Sequence, residues 1–203
     1  MADTAPGAIA PATPRSRAKA DRREALLAAA AALYARSGFN GVSIEDLGTA
    51  VGVSGPAVYR HFTGKQAVLA ALLVGVSEDL VFGGRAVADQ ADDAASALRS
   101  LIAFHVDFAL SNPDVIRVQD RDLDQLADED RHRVRALQRS YVELWVDVLG
   151  RAHPGVDAAS LRIRAHATFG LINSTPHSAA ASPTSAVRAL LEEMALAALT
   201  PAR

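Results

Sequence analysis

The chain is 203 residues long, half of them apolar, with no cysteine and a formal charge of −2. That length accommodates a small domain beside a larger one with its own core, and the lack of cysteine excludes disulfides and thiolate metal sites and suits a reducing, cytoplasmic setting. The small net charge hides an asymmetry: residues 1–66 carry eight Lys and Arg against five Asp and Glu (+3), and the remainder carry thirteen against eighteen (−5). A basic end attached to an acidic body is the expected footprint of a protein that meets nucleic acid at one end only.

Residues 1–19 are rich in Ala, Pro, Thr and Gly without periodicity and read as a disordered tail. Arg15, Arg17, Lys19, Arg22 and Arg23 cluster where the tail meets the first helix. Such a basic arm reaches a phosphate or a minor groove; the alternative is a solvated, charged helix start. The helix runs from about Asp21 to Ser37 with Leu26, Leu27, Ala30, Leu33 and Tyr34 as its apolar stripe, and Gly38 ends it.

From Ser43 to Lys65 the sequence SIEDLGTAVGVSGPAVYRHFTGK parses as two short helices around a tight turn. Ser43 and Asp46 have capping-box spacing, Ile44, Leu47 and Val51 make one buried face, and Gly52 supplies the left-handed residue that closes the first helix. Ser54 offers a second N-cap, with Pro56 in the first turn that follows. This second helix spans Gly55 to Phe62, buries Val58 and Phe62, and carries Tyr59, Arg60 and His61 elsewhere on its surface. Thr63 and Gln66 repeat the capping-box spacing before a third helix. Helix, glycine turn, helix is the helix-turn-helix arrangement, whose second helix lies in a DNA major groove. The plainer reading is a pair of packing helices in any all-α protein.

GVSGPAVYRHFTGK, preceded by SIEDLGTAV and by the helix RREALLAAAAALYARSGFNGV, resembles the N-terminal DNA-binding domain of the TetR family of bacterial one-component transcriptional regulators, over roughly Arg22 to Leu73. The resemblance implies that Ser43 caps its helix near a DNA phosphate, that Gly55, Pro56 and Ala57 approach bases, and that Tyr59, His61 and Lys65 hold phosphates. Arg22, Arg23, Ser54 and Arg60 complete the expected DNA-binding set. Two positions depart from the family pattern: Gly48 replaces the usual Ala, which predicts a looser first helix, and Gln66 replaces a common Glu.

Beyond Lys65, QAVLAALLVGVSEDLVF reads as a long connecting helix, with Gly83-Gly84 as a break. A helix from about Ala91 to Ser111 carries Leu98, Leu101, Ile102, His105 and Phe108, and Asn112-Pro113-Asp114 stops it and starts another. Arg117 and Arg121, one helical turn apart, are placed to meet a phosphate, and with Asp120, Asp122 and Asp124 alongside the favoured reading is a self-neutralising surface network. From Asp128 to about Leu149 runs a stripe of Val134, Leu137, Tyr141, Leu144, Trp145 and Val148. A helix from about Ala158 ends near Asn173 because of Pro176, and Ser182-Pro183 starts a last helix with Val187, Leu190, Leu191, Met194 and Leu199 as its apolar face. The reading is therefore an all-α chain: tail 1–19, helix-turn-helix domain 20–66, and a helical ligand-binding and dimerisation domain 67–203. The resemblance implies that the last two long helices pair with their copies in a second subunit. A dimer also matches two half-sites about 34 to 36 Å apart.

A small-molecule pocket is mostly apolar with a few placed polar groups. Residues of apolar faces that carry a ring or a hydrogen-bonding tip are its candidates: Phe104, His105, Phe108, Tyr141, Trp145, Phe169, Asn173 and His177. His166, Gly170, Asn173 and His177 share one helix face, for which a dimer interface or a satisfied core histidine is the competing explanation. PDVIRVQDRDL and FGLINSTPH resemble actinobacterial members of the family, which implies a mostly apolar effector such as an acyl-CoA. No motif for catalysis, metal or cofactor appears, no signal peptide precedes the first helix, and Ala165 to Val187, the longest chargeless run, is too polar for a membrane. The expectation is a repressor, not an enzyme, that binds a palindromic operator on double-stranded DNA as a homodimer and is released by a small molecule. The alternative is a DNA-binding module whose helical half docks a protein partner.

Overall fold

The computed structural model describes residues 14–178 and 183–200, and every regular element among them is helical. The expected tail over 1–13 and the small residues Ala179 to Ala181 lie outside the described residues. In chain order the elements are α1 (Pro14–Ser37), α2 (Ile44–Ala50), α3 (Gly55–Val58), α4 (Lys65–Asp89), α5 (Ala94–Ser111), α6 (Pro113–Asp122) with a 3-10 turn at Leu123–Gln125, α7 (Asp128–Ala152), α8 (Ala158–Ile172), α9 (Thr175–Ser178) and α10 (Thr184–Leu199). The first helix thus begins at Pro14, earlier than the expected Asp21: Ala18, Lys19 and Ala20 are good helix formers, and the proline sits at the start, where its missing N–H is no loss.

Two apolar cores share α4. The first joins Leu26, Ala30 and Tyr34 of α1, Leu47 of α2, Val58 after the turn and Leu69 and Leu73 of α4, and it is extended by Val115 and Val118 of α6 and Val134 of α7. The second joins α5, α7, α8 and α10 around Leu101, Ile102, Trp145, Leu149, Leu161, Ile172 and Leu199. α4 packs on α7, α5 and α1. By length and composition it is the one helix among the described residues apolar enough to cross a membrane, yet Val68, Leu69 and Leu73 are fully buried in the first core.

Several local expectations yield to packing. Gly83-Gly84 does not break α4, which is a single 25-residue helix. The two glycines serve close approach instead: a Cβ built on Gly83 stands 2.5 Å from Phe104, and one on Gly84 stands 2.6 Å from Tyr141. Thr63 does not cap α4; Gly64, in extended conformation, is the N-cap and no side chain closes the helix start. α3 is regular only to Val58, after which N–H donation from Arg60 to the Ala57 carbonyl and from Phe62 to the Val58 carbonyl continues the turn. α10 divides its apolar residues between two faces. Leu191, Ala195 and Leu199 are buried, whereas Leu190 is 55% and Met194 43% exposed, as is Ile163 of α8 at 69%. Neighbouring positions on a helix point about 100° apart, so Leu191 belongs to the core and Leu190 to the surface.

Candidate functional site

The helix-turn-helix is built from its caps. The Asp46 N–H donates to Ser43 Oγ at 3.1 Å while the Ser43 N–H and hydroxyl both donate to Asp46 Oδ2 at 2.8 and 2.7 Å. This reciprocal arrangement is the capping box, and it holds the Asp46 carboxyl below the usual carboxylate range. At the other end of α2, Gly52 has φ +70 and the N–H groups of Val51 and Val53 both donate to the Gly48 carbonyl. A Cβ on Gly48 would stand 2.8 Å from the Val53 carbonyl oxygen, so this glycine lets the turn close tightly on α2. That role offsets the looser helix its propensity predicts.

The turn then presents α3. Ser54 occupies the N-cap position but its hydroxyl makes no hydrogen bond to the helix, and Pro56 sits at the helix start. Gly55 is buried beneath the Glu45 side chain. Ser54, Pro56, Tyr59 and Arg60 are exposed, and Ala57 and His61 are half-buried. Lys19, Arg22, Arg23 and Arg60 all lie close enough to His61 to lower its pKa, behind burial as the first cause. Lys19, Arg22 and Arg23 of α1 and Arg60 after α3 therefore stand together near His61. Part of that charge also serves the fold: Arg22 Nη1 donates to the Val51 carbonyl at 3.2 Å, the Arg23 guanidinium lies 5.0 Å from the Phe62 ring centroid, and the Lys65 ammonium 4.4 Å from that of Phe39.

In the helical body, α4, α5, α6, α7 and α8 line a partly open cavity of about 200 Å³. Of the predicted ligand residues, His105, Phe108, Tyr141, Phe169 and Asn173 line it. Trp145 lies behind the wall, fully buried, edge-on to Phe169 at 5.0 Å and to Tyr141 at 6.2 Å. Phe104 covers Gly83 and faces a shallow surface groove, and His177 is exposed on α9 near Asp120. The cavity also takes in Ser77, Gln119, Gln138 and His166 with aliphatic side chains of α4, α6 and α7. Ser77 carried a legible signal, being a polar residue in the i, i+4 register of Leu69 and Leu73. No such signal marks Gln119 and Gln138, whose place depends on how α6 crosses α7.

The His105 ring is buried among other rings, 5.0 Å from Phe169, 5.7 Å from Tyr141 and 6.0 Å from Trp145. Burial pushes its pKa down to about 4, with the nearby Asn173 amide a smaller opposing influence, so the imidazole is neutral at pH 7. Nδ1 stands 3.4 Å from the Tyr141 hydroxyl, and the ring is also hydrogen-bonded to the Asn173 side chain. No lining residue is an acid, lysine or arginine.

α6 ties this cavity to the helix-turn-helix end. Its Val115, Ile116 and Gln119 line the cavity. One turn on, Arg121 pairs with Asp122 and donates to the Tyr34 and Ala35 carbonyls at the end of α1. Gln66 Nε2 donates to the Gln125 carbonyl at 2.8 Å, and Asn40 Nδ2 to Gln125 Oε1 at 3.4 Å. Of the expected self-neutralising network, Arg121–Asp122 forms, whereas Arg117 pairs with Asp114 and Asp124 with Arg135; both arginines also reach further, Arg117 to the Pro176 carbonyl at 2.5 Å.

Two family profiles match the chain: "Bacterial regulatory proteins, tetR family" over residues 26–72 and "Tetracyclin repressor-like, C-terminal domain" over residues 91–177. Among characterised relatives, the HTH-type transcriptional repressor KstR2 of Rhodococcus jostii is 26% identical over 145 residues, which is 71% of this chain and 70% of that protein. A TetR-family transcriptional regulator from Bordetella parapertussis superposes with a TM-score of 0.76 at 24% identity, covering 86% of this chain and 93% of that one. FadR of Bacillus subtilis, solved in complex with stearoyl-CoA, superposes with a TM-score of 0.69 at 16% identity, covering 86% of this chain and 98% of that one. At these identities the structural likenesses establish the fold.

Proposed function

Because the chain belongs to the TetR family of bacterial regulatory proteins, we propose that it is a cytoplasmic transcriptional repressor that binds a palindromic operator as a homodimer and leaves it when a small, mostly apolar molecule enters the cavity. The observation that carries this reading is α6, which gives one side to the cavity and, through Arg121, holds the end of α1 in the DNA-binding half. A ligand shifts DNA affinity only by as much as it prefers one conformation, and a hundredfold loss requires about 2.7 kcal/mol of such preference. In the DNA complex, Tyr59, Arg60, His61 and Ser54 face phosphates, and Pro56 and Ala57 lie nearest the base edges. Gly55 acts by letting α3 sit down on Glu45. Exposed Leu190, Met194 and Ile163 supply the apolar surface on which a second subunit packs.

An acyl-CoA fits this reading if its chain enters the cavity and its phosphates lie in the adjoining groove, which shares Gln138, Val142 and His166 with the cavity and carries Arg135, Arg139 and Arg162. The stearoyl-CoA complex of B. subtilis FadR supports it by likeness of fold.

The test is fluorescence anisotropy with labelled duplex from the region upstream of the protein's own gene, at two salt concentrations. Tyr59→Ala and Arg60→Ala weaken binding to all sequences alike, and Arg60→Ala lowers the salt slope by about 1. Unchanged binding by both variants removes this surface from the DNA.

A further inference from the structure

The first three turns of α1 are helix without a core. α1 begins at Pro14, yet every residue from Pro14 to Ala25 is exposed, and the first buried residue among those described is Leu26. At 1.5 Å per residue, about 18 Å of helix extends past the last core side chain. Helical stability in proteins comes mostly from packing an apolar face, and this stretch buries none. Its charges weaken it further. Arg15, Lys19, Arg22 and Arg23 stand at i, i+4, i+7 and i+8, so each meets a like charge about one turn away. Cations at a helix start also oppose the macrodipole, and the first turn of α1 carries no acidic residue.

These charges are sorted by side. The four positions fall within about 100° of one another around the helix, in the sector that continues into Leu26, whereas Asp21 and Glu24 lie on the opposite side with Arg17. The contacts fix which way the acid-free sector looks. Arg22 Nη1 donates to the Val51 carbonyl in the turn between α2 and α3, the Arg23 guanidinium stands over the Phe62 ring just after α3, and Lys19 acts on His61. The row of cations therefore continues the side of the molecule on which the recognition turn stands. Local preferences broken together in this way mark a functional surface, and the repulsion along the row is relieved by a polyanion laid against it.

We propose that this face is a DNA contact outside the helix-turn-helix, in which Arg15 and Lys19 hold backbone phosphates flanking the stretch that α3 meets, while Arg22 and Arg23, tied to the turn and to Phe62, set the angle at which the row approaches the duplex. From Arg15 to Arg22 the row is about 10 Å long, and duplex DNA carries a charge for every ~1.7 Å of its axis, so the backbone offers a phosphate to each cation. Such contacts position a protein and carry no base information. The row therefore adds affinity and salt dependence on every sequence alike.

The proposal rests on the chain being a DNA-binding regulator, and its test separates the two. Anisotropy with the full-length protein, on the upstream duplex and on a random-sequence duplex of equal length, is followed over a series of salt concentrations. It compares the wild type with Arg15→Gln/Lys19→Gln and with Arg17→Gln, a change of the same kind on the opposite side of the helix. All three positions are exposed, and circular dichroism reads the fold of each variant. The double variant is expected to bind both duplexes at least about tenfold more weakly near 0.1 M salt, with a salt slope lower by about 2, at roughly 0.9 per phosphate. Arg17→Gln moves the slope by less than about 1. Arg15→Lys/Lys19→Arg, which keeps both charges, retains the wild-type slope. A double variant whose slope matches that of Arg17→Gln, or whose loss is confined to the upstream duplex, overturns the phosphate row; if Arg60→Ala still weakens binding, the regulator stands without it. Failure of the wild type to bind either duplex overturns both.

Discussion

Replacing Gly84 by alanine sets two ordinary effects against each other inside one helix. Alanine is favoured over glycine in a helix interior by up to about 1 kcal/mol, which alone would make the variant more stable. The new Cβ, however, stands 2.6 Å from Tyr141 Cε2, 3.3 Å from Leu144 Cδ2 and 3.4 Å from Leu101 Cδ2. Relief requires the Tyr141 ring to move by close to an ångström, and that ring is stacked on Phe169 at 5.6 Å and hydrogen-bonded to His105. Overpacking of this kind costs roughly 1–3 kcal/mol, so against an alanine gain of about 1 kcal/mol the net is a destabilisation of up to about 2 kcal/mol, or a Tm lower by up to several degrees for a chain of this size. Gly75 provides the control, since a Cβ there meets nothing within 4 Å; Gly75→Ala stabilises by about 0.5–1 kcal/mol. Urea denaturation followed by circular dichroism, at one subunit concentration because dimer stability depends on it, reads both. A Gly84→Ala protein as stable as Gly75→Ala refutes the close-approach explanation of the unbroken helix.

Other expectations follow from the same contacts. Ser43→Ala removes the hydroxyl's two hydrogen bonds with Asp46 and leaves the backbone N–H of residue 43 to the carboxylate, lowering stability by about 1 kcal/mol, with a matching fall in DNA affinity by anisotropy; unchanged stability shows that the hydroxyl cap is ornamental. Leu190→Asp yields a folded monomer on gel filtration, whereas Leu191→Asp, which buries a charge in the second core, lowers stability by about 3 kcal/mol or more; a dimer unaffected by Leu190→Asp moves the interface elsewhere. The His105 imidazole gains a proton near pH 6.5 when unfolded but only near pH 4 when folded. Between those values the unfolded chain binds more protons, so stability is full above pH 6.5 and falls as pH drops towards 4, by about 3 kcal/mol at most. His105→Leu flattens that part of the curve in chemical denaturation at successive pH values, and an unchanged slope refutes the neutral buried histidine.

The features legible in the sequence are those whose cause lies within a few residues. The Ser43–Asp46 box, the left-handed glycines Gly38 and Gly52 that close α1 and α2, and the proline-marked starts of α3 and α6 all depend on hydrogen bonds and dihedrals spanning one turn. So do the all-α class and the helix-turn-helix, because periodicity and capping are local statements. The aromatic and polar residues His105, Phe108, Tyr141, Phe169 and Asn173 were legible as cavity candidates because helical faces that are apolar with one polar tip are visible in the chain.

Which neighbours meet across space is a different kind of fact. Phe104 and His105 are adjacent, yet one covers Gly83 and the other enters the cavity, as the rotation of α5 against α4 dictates. Leu190 and Leu191 part in the same way between surface and core. Gly83-Gly84 reads locally as a helix break, and only the rings of Phe104 and Tyr141, 21 and 57 residues further along the chain, make it a packing seat. The sequence by itself determined the all-α class, the Ser43–Asp46 box and the helix-turn-helix arrangement, since one turn of chain contains their physical cause. The tertiary structure alone decided the cavity, the meeting of His105 with Tyr141 and Asn173 and the reach of Arg121 to α1, because those depend on side chains that only the packing of whole helices brings together.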